Sequence, residues 1–437
     1  MRKQNEQGVH TMGKSIIRQV RGRRIWDSRG RPTVEATVTL ADGSLGRGLA
    51  PAGASRGSRE AVDLRDGGQK LGGFDVSAAL AHLNGEIAQA MIGMDAMQQA
   101  VLDARLIALD GTPTKARLGG NATIAVSLAA MHAAAASNRQ PLWEYAAQGR
   151  ALRMPLPEIQ IFGGGAHAGR RVDIQDFMVM PLGAQSFDQA LEWCAEVYLA
   201  AGSLMKAAGK QAGVADEGGY WPLFDANEQA LEMLTRAIGV AGLAHAQMAI
   251  SLDIAASELR SGGRYRLGLE NRVLDTTEMI DMLGQWIDAY PIVSIEDPLA
   301  EDDEAGLIEC TRRFGQRVQI IGDDYLVTSA PRVRQAAALG ACNCALIKPN
   351  QAGTVTETRA ALDAAQAAGW STVVSARSGE TEDTSIVHLA VGWNAGQLKV
   401  GSFARSERMA KWNEGLRIED ATRAPFAGRC FGPSPTP

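Results

Sequence analysis

From about residue 155 onward, short apolar runs alternate with longer amphipathic stretches, and this even alternation narrows the choice of fold. The short runs have the length of buried strands, and apolar residues recur with helical spacing in the stretches between them. Strands and helices that alternate in this way favour parallel strands closed into a barrel with helices outside. We therefore predict a (β/α)8-type barrel of the α/β class over residues 146–425.

Individual elements of this barrel can be placed on the sequence. The predicted strands include those that begin at Phe177, Ala249, Ile292, Val318, Ala345 and Thr372. The predicted helices include 187–209, 276–290, 330–339, 355–368 and 383–392. An open, doubly wound sheet is the alternative architecture, although no dinucleotide-binding glycine motif or Walker loop follows the first strand.

The region before the barrel has a different pattern. Residues 15–50 are typical of strands, since Val34–Leu40 alternates with period two and a turn sequence follows it. The pattern then becomes helical and alanine-rich up to residue 145. We predict an α+β domain over residues 15–145, a disordered extension over 1–14 and a flexible tail over 426–437.

Composition excludes several classes of function. The net charge of −5 and the pI of about 5.8 give no indication of nucleic-acid or membrane binding. No apolar run is long enough for a transmembrane helix, and the N-terminus lacks a signal-peptide core. The five cysteines match neither a zinc site nor a redox pair, so we expect reduced thiols. We expect a cytoplasmic protein that binds neither nucleic acid nor membrane.

Three acidic residues, Asp253, Glu296 and Asp323, each stand at the end of an apolar run. The carboxyl ends of barrel strands meet at one face, so these side chains are expected to converge. Crowded carboxylates repel one another unless a cation lies between them, and Mg²⁺ prefers oxygen ligands. The sequence therefore predicts a magnesium site at this face.

Lysines and further carboxyls follow the same pattern. Lys348 and Lys399 end apolar runs, and burying an ammonium group without a partner is costly. Beside a divalent metal the pKa of such a lysine falls, and the amine can then accept a proton. The alternative interpretation is a lysine whose aliphatic side chain carries the ammonium group out to solvent. Asp176 precedes a strand, and Glu217 lies in a glycine-rich turn. Carboxyls opposite a lysine suit proton removal from one carbon and hydroxide loss from the next.

Three loops carry further candidates. His167 lies in a glycine-rich loop, where a satisfied surface histidine is the alternative interpretation. Arg377 and Ser378 follow a predicted strand and precede a helix, an arrangement suited to binding phosphate or phosphonate. Ser55 and Arg56 lie in a loop of small residues that could close over the site as a lid.

These motifs resemble those of the enolase (phosphopyruvate hydratase) family from about residue 15 to residue 420. The matching segments are Asp27-Ser-Arg-Gly-Arg-Pro-Thr, His167-Ala-Gly, Asp216-Glu-Gly-Gly, Ser294-Ile-Glu-Asp-Pro, Gly322-Asp-Asp, Lys348-Pro-Asn-Gln, Arg377-Ser-Gly-Glu-Thr-Glu-Asp-Thr and Arg405-Ser-Glu-Arg. The resemblance implies an enolase-type (β/α)8 barrel with an N-terminal α+β capping domain, in a homodimer or a higher homo-oligomer. It also implies two Mg²⁺ ions per active site and dehydration of 2-phosphoglycerate to phosphoenolpyruvate.

The resemblance assigns a role to each matching residue. Asp253, Glu296 and Asp323 resemble the ligands of the tightly held Mg²⁺, and Ser55 resembles the lid serine that contacts the second ion. The remaining assignments are Lys348 as the base, Lys399 at the substrate carboxylate, Glu217 and Asp176 at the leaving hydroxyl, His167 near the phosphoryl group, Arg377 and Ser378 as phosphate contacts, and Gln175 and Arg56 as further substrate-binding residues.

Some positions depart from the family pattern. Asp176 replaces a glutamate, Ala376 replaces a histidine, Arg56 adds a cation to the lid, and Pro349 follows the base lysine. These changes favour a specialised paralogue whose phosphorylated or phosphonylated carboxylate substrate carries extra negative bulk, as in the carboxyphosphonoenolpyruvate synthase branch of phosphonate and phosphinate biosynthesis. A housekeeping enolase is the alternative.

Two further hypotheses stay within the same resemblance. A non-catalytic binding or structural protein derived from an enolase predicts loss of metal ligands or lysines, and all five are present. Racemisation or cycloisomerisation of another carboxylate is disfavoured by Arg377 and Ser378, which suit a phosphoryl-type group.

Overall fold

A computed structural model describes residues 13–431 of the chain. Its first elements are an antiparallel sheet, β1 (Ile17–Trp26), β2 (Pro32–Leu40) and β3 (Leu45–Leu49), and five α-helices, α1 (Ser77–His82), α2 (Ala88–Met91), α3 (Gln99–Asp110), α4 (Gly120–Ser137) and α5 (Leu142–Ala147). The strands precede the helices in this region, as predicted. The long helix α4 packs so closely on β3 that a Cβ at Gly46 would lie 2.0 Å from the Ala129 carbonyl oxygen.

The remaining strands are β4 (Leu156–Gly163), β5 (Asp176–Met180), β6 (Gln211–Val214), β7 (Tyr220–Pro222), β8 (Ala249–Asp253), β9 (Arg260–Ser261), β10 (Arg264–Leu267), β11 (Arg272–Leu274), β12 (Ile292–Glu296), β13 (Gln319–Gly322), β14 (Cys344–Ile347), β15 (Ser371–Ser375) and β16 (Gly396–Gly401). The remaining α-helices are α6 (Phe187–Ala208), α7 (Glu228–Val240), α8 (Thr276–Ala289), α9 (Glu304–Phe314), α10 (Ala330–Leu339), α11 (Pro349–Ala352), α12 (Val355–Ala367), α13 (Ser385–Gly392) and α14 (Ser406–Thr422).

Eight of these strands close into a barrel. They follow one another as β4, β5, β8, β12, β13, β14, β15 and β16, and β16 pairs with β4 to complete the ring. The predicted barrel and its capping unit are confirmed, and α10 has the predicted bounds. The open doubly wound sheet is excluded, because an open sheet has two unpaired edges and this ring has none.

One feature of the barrel differs from the prediction. The strand β5 runs antiparallel to both of its neighbours, β4 and β8, whereas the other barrel pairs are parallel. The alternation of apolar runs and helical stretches did not reveal this reversed strand. The connection from β4 to β5, residues 164–175, holds only a 3-10 turn (Gly165–Ala168) in place of an α-helix, and a strand that returns directly along the sheet must run antiparallel.

The first barrel strand was missing from the prediction. Its polar residues Glu158 and Gln160 interrupt the apolar run, yet every residue of β4 is buried. Both residues lie in the barrel interior, where alternate positions of a strand point inward.

The chain ends are only partly described. Residues 1–12 and 432–437 lie outside the described residues, so the expectations for those segments stay untested. Phe426 pairs with Met154 in a parallel bridge, and the domain boundaries themselves remain predictions. Among residues 13–431, no helix combines the length and the apolar character needed to cross a bilayer.

Candidate active site

The predicted acids come together at one end of the barrel. Asp253 on β8 stands directly beside Asp176 on β5 and beside Glu296 on β12, in the register of both strand pairs. Asp323 follows the last residue of β13, the next strand around the ring. All four side chains are buried. The spacing of apolar runs therefore located this face of the barrel correctly.

Lys399 joins three of these acids from the other side of the barrel. Its Nζ donates to Asp253 Oδ2 at 2.9 Å and to Glu296 Oε2 at 2.7 Å, and it lies 3.6 Å from Asp176 Oδ2. Burial lowers the pKa of this ammonium, but the Asp253 and Glu296 carboxylates raise it by more, so the pKa lies well above its usual value. Lys399 is therefore a fixed positive charge. It lies inside β16 rather than at its end.

Lys348 directly follows β14 and faces a single acid. Its Nζ donates to Asp323 Oδ2 at 2.5 Å. Burial lowers the pKa of Lys348, but the Asp323 carboxylate raises it by more, and the net pKa is raised. We expected a depressed pKa beside a divalent metal; with the Asp323 carboxylate as the nearest charge, the shift has the opposite sign.

The acids offer oxygens that fit Mg²⁺. Glu296 Oε1 is buried and has no hydrogen-bond partner among the described residues. Burial and the neighbouring Asp253 carboxylate hold the pKa of Glu296 well above its usual range. A hard divalent cation would satisfy the free oxygen and offset the repulsion between the two acids. The donor set therefore suits a magnesium ion.

The three predicted metal ligands, Asp253, Glu296 and Asp323, do not surround a single point in this structure. Within residues 13–431, ligand atoms of three residues lie within 4.8 Å of one another in two groups, His167–Asp176–Glu217 and Asp297–Asp323–Asp324. Asp253, Glu296 and Asp323 do not form such a group, because their oxygens are directed to ammonium groups. A single ion shared by the trio requires Lys399 and Lys348 to release these contacts.

His167, Asp176 and Glu217 form the opposite wall. His167 Nδ1 lies 2.9 Å from Asp176 Oδ1, and His167 Nε2 lies 2.8 Å from Ser378 Oγ and 3.7 Å from Glu217 Oε1. Burial lowers the pKa of His167, but Asp176 and Glu217 raise it by more, to about 9. The imidazole is therefore buried and charged, and the surface-histidine alternative is excluded.

The loop that holds Ser55, predicted to act as a lid, contacts Arg377, which with Ser378 forms the predicted anion cradle. Ser55 Oγ accepts a hydrogen bond from Gln175 Nε2 at 3.3 Å, and the Ser55 carbonyl accepts one from Arg377 Nη2 at 3.0 Å. Gln175 also donates to Asp253 Oδ2 at 3.1 Å. Arg377 and Ser378 lie in the loop after β15, and α13 begins only at Ser385. The cradle is therefore built from loop residues rather than from the first turn of a helix.

Two of the unusual positions contribute little to this cluster. Arg56 is half exposed, and its ion-pair partner is Asp63 at 3.9 Å, so the structure does not bring Arg56 to the other site residues. Ala376 is buried, and its backbone N–H donates to the Lys399 carbonyl.

The structure adds residues that the sequence did not single out. Glu60 accepts from Arg377 Nη1 at 2.9 Å, and Gln351 Nε2 donates to Asp323 Oδ1 at 2.8 Å. Gln160 Nε2 hydrogen-bonds to Asp176, and Gln160 Oε1 accepts from the Gly219 N–H at 2.8 Å. Such contacts join residues far apart in the chain, and only Gln351 carried a signal, since it belongs to the Lys348-Pro-Asn-Gln motif.

Comparison with known proteins gives the same assignment over nearly the whole chain. Residues 17–146 match the family model for the enolase N-terminal domain, and residues 151–433 match the model for the enolase C-terminal TIM barrel domain. A protein named Enolase 1 from Desulfitobacterium hafniense (strain Y51) is 49% identical over 409 residues, which cover 93% of this chain and 94% of that protein.

These matches bear on the predicted branch. They do not support the predicted carboxyphosphonoenolpyruvate synthase branch. The similarity to a protein named as an enolase favours the alternative, a housekeeping enolase. Two domain models and a relative of this similarity establish the relationship for nearly the full length of the chain. The chain therefore belongs to the enolase family of enzymes.

Proposed function

We propose that this protein is a Mg²⁺-dependent lyase that dehydrates 2-phosphoglycerate to phosphoenolpyruvate. The observation that carries the proposal is the convergence of Lys348 and Lys399 on the carboxylates of Asp253, Glu296 and Asp323 in one buried cluster. Proton removal next to a carboxylate builds a second negative charge, and preorganised cations stabilise that charge far better than water does. When bound, Mg²⁺ would supply positive charge at the substrate carboxylate and would offset the Asp323 charge that now holds the Lys348 proton.

The two lysines divide the work at the substrate carboxylate. Lys399 stays protonated, because its buried ammonium faces Asp253 and Glu296, and it can pair with a carboxylate that replaces one of them. Lys348 has one acidic hydrogen-bond partner, so it is the amine that can be freed to take the proton from C2. These different surroundings support a permanent cation at Lys399 and a base at Lys348.

The opposite wall suits departure of the hydroxyl group. Glu217 and Asp176 face His167, and the charged imidazole links them to Ser378 of the anion cradle. An acid here would protonate the leaving hydroxide on the side away from Lys348. Asp176 accepts from Gln160 and His167, so we assign Glu217 as the acid and Asp176 as the residue that positions His167.

The phosphoryl group is assigned to Arg377 and Ser378. The Arg377 guanidinium is buried and its nitrogens form a planar fork, which suits two oxygens of a phosphate. The homodimer or larger homo-oligomer and the cytoplasmic location expected from the family resemblance are part of the same proposal.

Turnover tests the proposal directly. Purified protein with Mg²⁺ and 2-phosphoglycerate should produce the enol absorbance of phosphoenolpyruvate, and a parallel reaction supplied with phosphonoformate should give no other product. Failure with 2-phosphoglycerate, combined with a new product from phosphoenolpyruvate and phosphonoformate, would restore the synthase assignment. Failure with both would overturn the proposed function.

A further inference from the structure

Two residues in the turn between β13 and α10 have an unusual backbone. Val327 and Thr328 have φ angles of 44° and 51°, in the left-handed region that β-branched residues rarely adopt. Both residues are buried, and the Val327 N–H donates to the Asp323 carbonyl at 2.8 Å. Such a backbone is costly, so the surrounding contacts must hold it, and strain of this kind is concentrated at functional sites.

The Thr328 hydroxyl joins this turn to the segment that follows β14. Its Oγ accepts from the Lys348 backbone N–H at 2.9 Å and donates to Gln351 Oε1 at 2.7 Å. The Leu346 carbonyl is also within reach but lies farther away, at 3.5 Å. A hydroxyl has a single proton to donate, so the shorter bond to Gln351 takes it and fixes the carbonyl end of that amide.

The other end of the Gln351 amide faces two carboxylates. Its Nε2 donates to Asp323 Oδ1 at 2.8 Å and to Glu60 Oε1 at 3.2 Å. These carboxylates pair with Lys348 and Arg377, and an ionised carboxylate only accepts hydrogen bonds. The amide nitrogen must therefore point to the acids and the amide oxygen to Thr328, which leaves one orientation for the side chain.

These contacts close a ring of hydrogen bonds around Lys348. Lys348 Nζ donates to Asp323 Oδ2 at 2.5 Å, and Gln351 holds the other oxygen of the same carboxylate. Thr328 completes the ring by binding both Gln351 and the Lys348 backbone. All four residues are buried, so the ring is shielded from water and each member fixes its neighbours.

We propose that Thr328 and Gln351 are positioning residues of this active site. They act through Asp323, a predicted Mg²⁺ ligand, and through Lys348, the proposed base, so the inference rests on the proposed function. Hydrogen bonds to a metal-binding carboxylate orient it, and their loss weakens metal binding or activity by about 10- to 100-fold. The bond to the Lys348 backbone adds a second effect, because a base that is slightly misplaced loses much of its rate.

Thr328→Val tests both effects, because valine keeps the branched shape and removes only the hydroxyl group. Mg²⁺ that binds the folded state raises the melting temperature, so a titration without substrate reports the affinity. Thr328→Val should need about tenfold more Mg²⁺ than the wild type for the same rise.

Kinetics with 2-phosphoglycerate at saturating Mg²⁺ give the second readout. In Thr328→Val, kcat should fall by about tenfold or more, because Lys348 is no longer held in line with the C2 proton. KM should stay close to the wild-type value, because Thr328 hydrogen-bonds to Lys348 and Gln351 rather than to the assigned phosphate contacts Arg377 and Ser378.

Two variants are matched controls. Thr328→Ser keeps the hydroxyl group and should restore both the Mg²⁺ response and kcat. Thr358 is a buried threonine of α12 whose hydroxyl donates to the Thr354 carbonyl at 2.6 Å, outside the ring. Thr358→Val therefore removes a comparable buried hydrogen bond, and it should lose stability but keep the wild-type Mg²⁺ response and kcat.

Wild-type Mg²⁺ affinity and kcat in Thr328→Val would overturn the proposal, as would a Thr328→Ser variant that is equally impaired. If Thr328→Val does not fold, Gln351→Met, which keeps the side-chain length without the amide, should show the same two losses. Wild-type behaviour of Gln351→Met would then overturn the proposal. The Mg²⁺ titration contains no substrate, so its result stands even if the wild type fails to dehydrate 2-phosphoglycerate, which would count against the proposed function alone.

Discussion

Arg377 and Glu60 form a buried two-point ion pair, with Nη1 to Oε2 at 2.9 Å and Nη2 to Oε1 at 3.2 Å. Glu60 Oε1 also accepts from the Gly57 backbone N–H at 3.0 Å and from Gln351 Nε2 at 3.2 Å. One carboxylate therefore connects the lid loop, the anion cradle and the segment after Lys348. A phosphoryl group that binds Arg377 must share or replace this contact.

The first prediction concerns that competition. Glu60→Gln should lower the free energy of unfolding by about 3 kcal/mol, because a buried guanidinium loses its charge partner. Inorganic phosphate should then raise the melting temperature of Glu60→Gln more than that of the wild type, since phosphate supplies the missing negative charge. Thermal unfolding with and without phosphate measures both effects.

Glu357→Gln is a matched control for this experiment. Glu357 pairs with the buried Lys115 at 2.6 Å, away from the anion cradle. This variant should lose some stability but should gain no more from phosphate than the wild type gains. An equal phosphate effect in Glu60→Gln and the wild type would contradict the assignment of Arg377.

The second prediction concerns Lys348. Lys348→Ala should reduce kcat for 2-phosphoglycerate by about 10³-fold or more, because the variant has no amine to take the C2 proton. Lys206→Ala, at a residue in the last turn of α6, should keep full activity. Steady-state kinetics and exchange of the C2 proton with solvent provide the measurements. Proton exchange at the wild-type rate in Lys348→Ala would exclude Lys348 as the base.

The part of this site that could be predicted follows the strands. Asp253, Glu296 and Asp323 were located because a carboxylate after an apolar run is unusual and parallel strand ends converge. The reversed direction of β5 was not predictable in this way, since an apolar run has the same pattern in either direction. Glu60 was missed because a glutamate in a polar loop is usually a surface residue. Its partner Arg377 is distant in the chain and is brought to it only by the fold.

The third prediction concerns the metal. Chelation should abolish turnover, and added Mg²⁺ should restore it and raise the melting temperature, since a ligand that binds only the folded state stabilises it by mass action. Asp253→Asn should lose most of this metal-dependent stabilisation, because a neutral amide replaces one carboxylate of the cluster. Asp188→Asn, near the start of α6, is the control. A full Mg²⁺ response in Asp253→Asn would remove Asp253 from the ligand set.

Glu158 leads to a prediction about pH. This residue lies on β4 beside Lys399, and neither carboxylate oxygen has a hydrogen-bond partner among residues 13–431. Burial raises the pKa of Glu158 to about 7, although the Lys399 ammonium opposes the shift. This environment was not predicted, because β4 itself was not recognised as a strand. The folded protein therefore holds a proton here that the unfolded chain releases near pH 4.5.

The sign of the effect follows from this difference in proton binding. Below pH 4.5 Glu158 is protonated in both the folded and the unfolded protein, and its burial then lowers the free energy of unfolding only slightly. Between pH 4.5 and about 7 the folded state binds more protons than the unfolded state, so the free energy of unfolding falls as the pH rises. Relative to Glu158→Gln, the wild type should lose roughly 3 kcal/mol between pH 4 and pH 8. Urea unfolding without metal at several pH values measures this difference in stability. Glu196→Gln, at an exposed residue, is the control and should differ from the wild type by the same amount at every pH. A gap between wild type and Glu158→Gln that stays constant with pH would mean that Glu158 titrates normally in the folded protein.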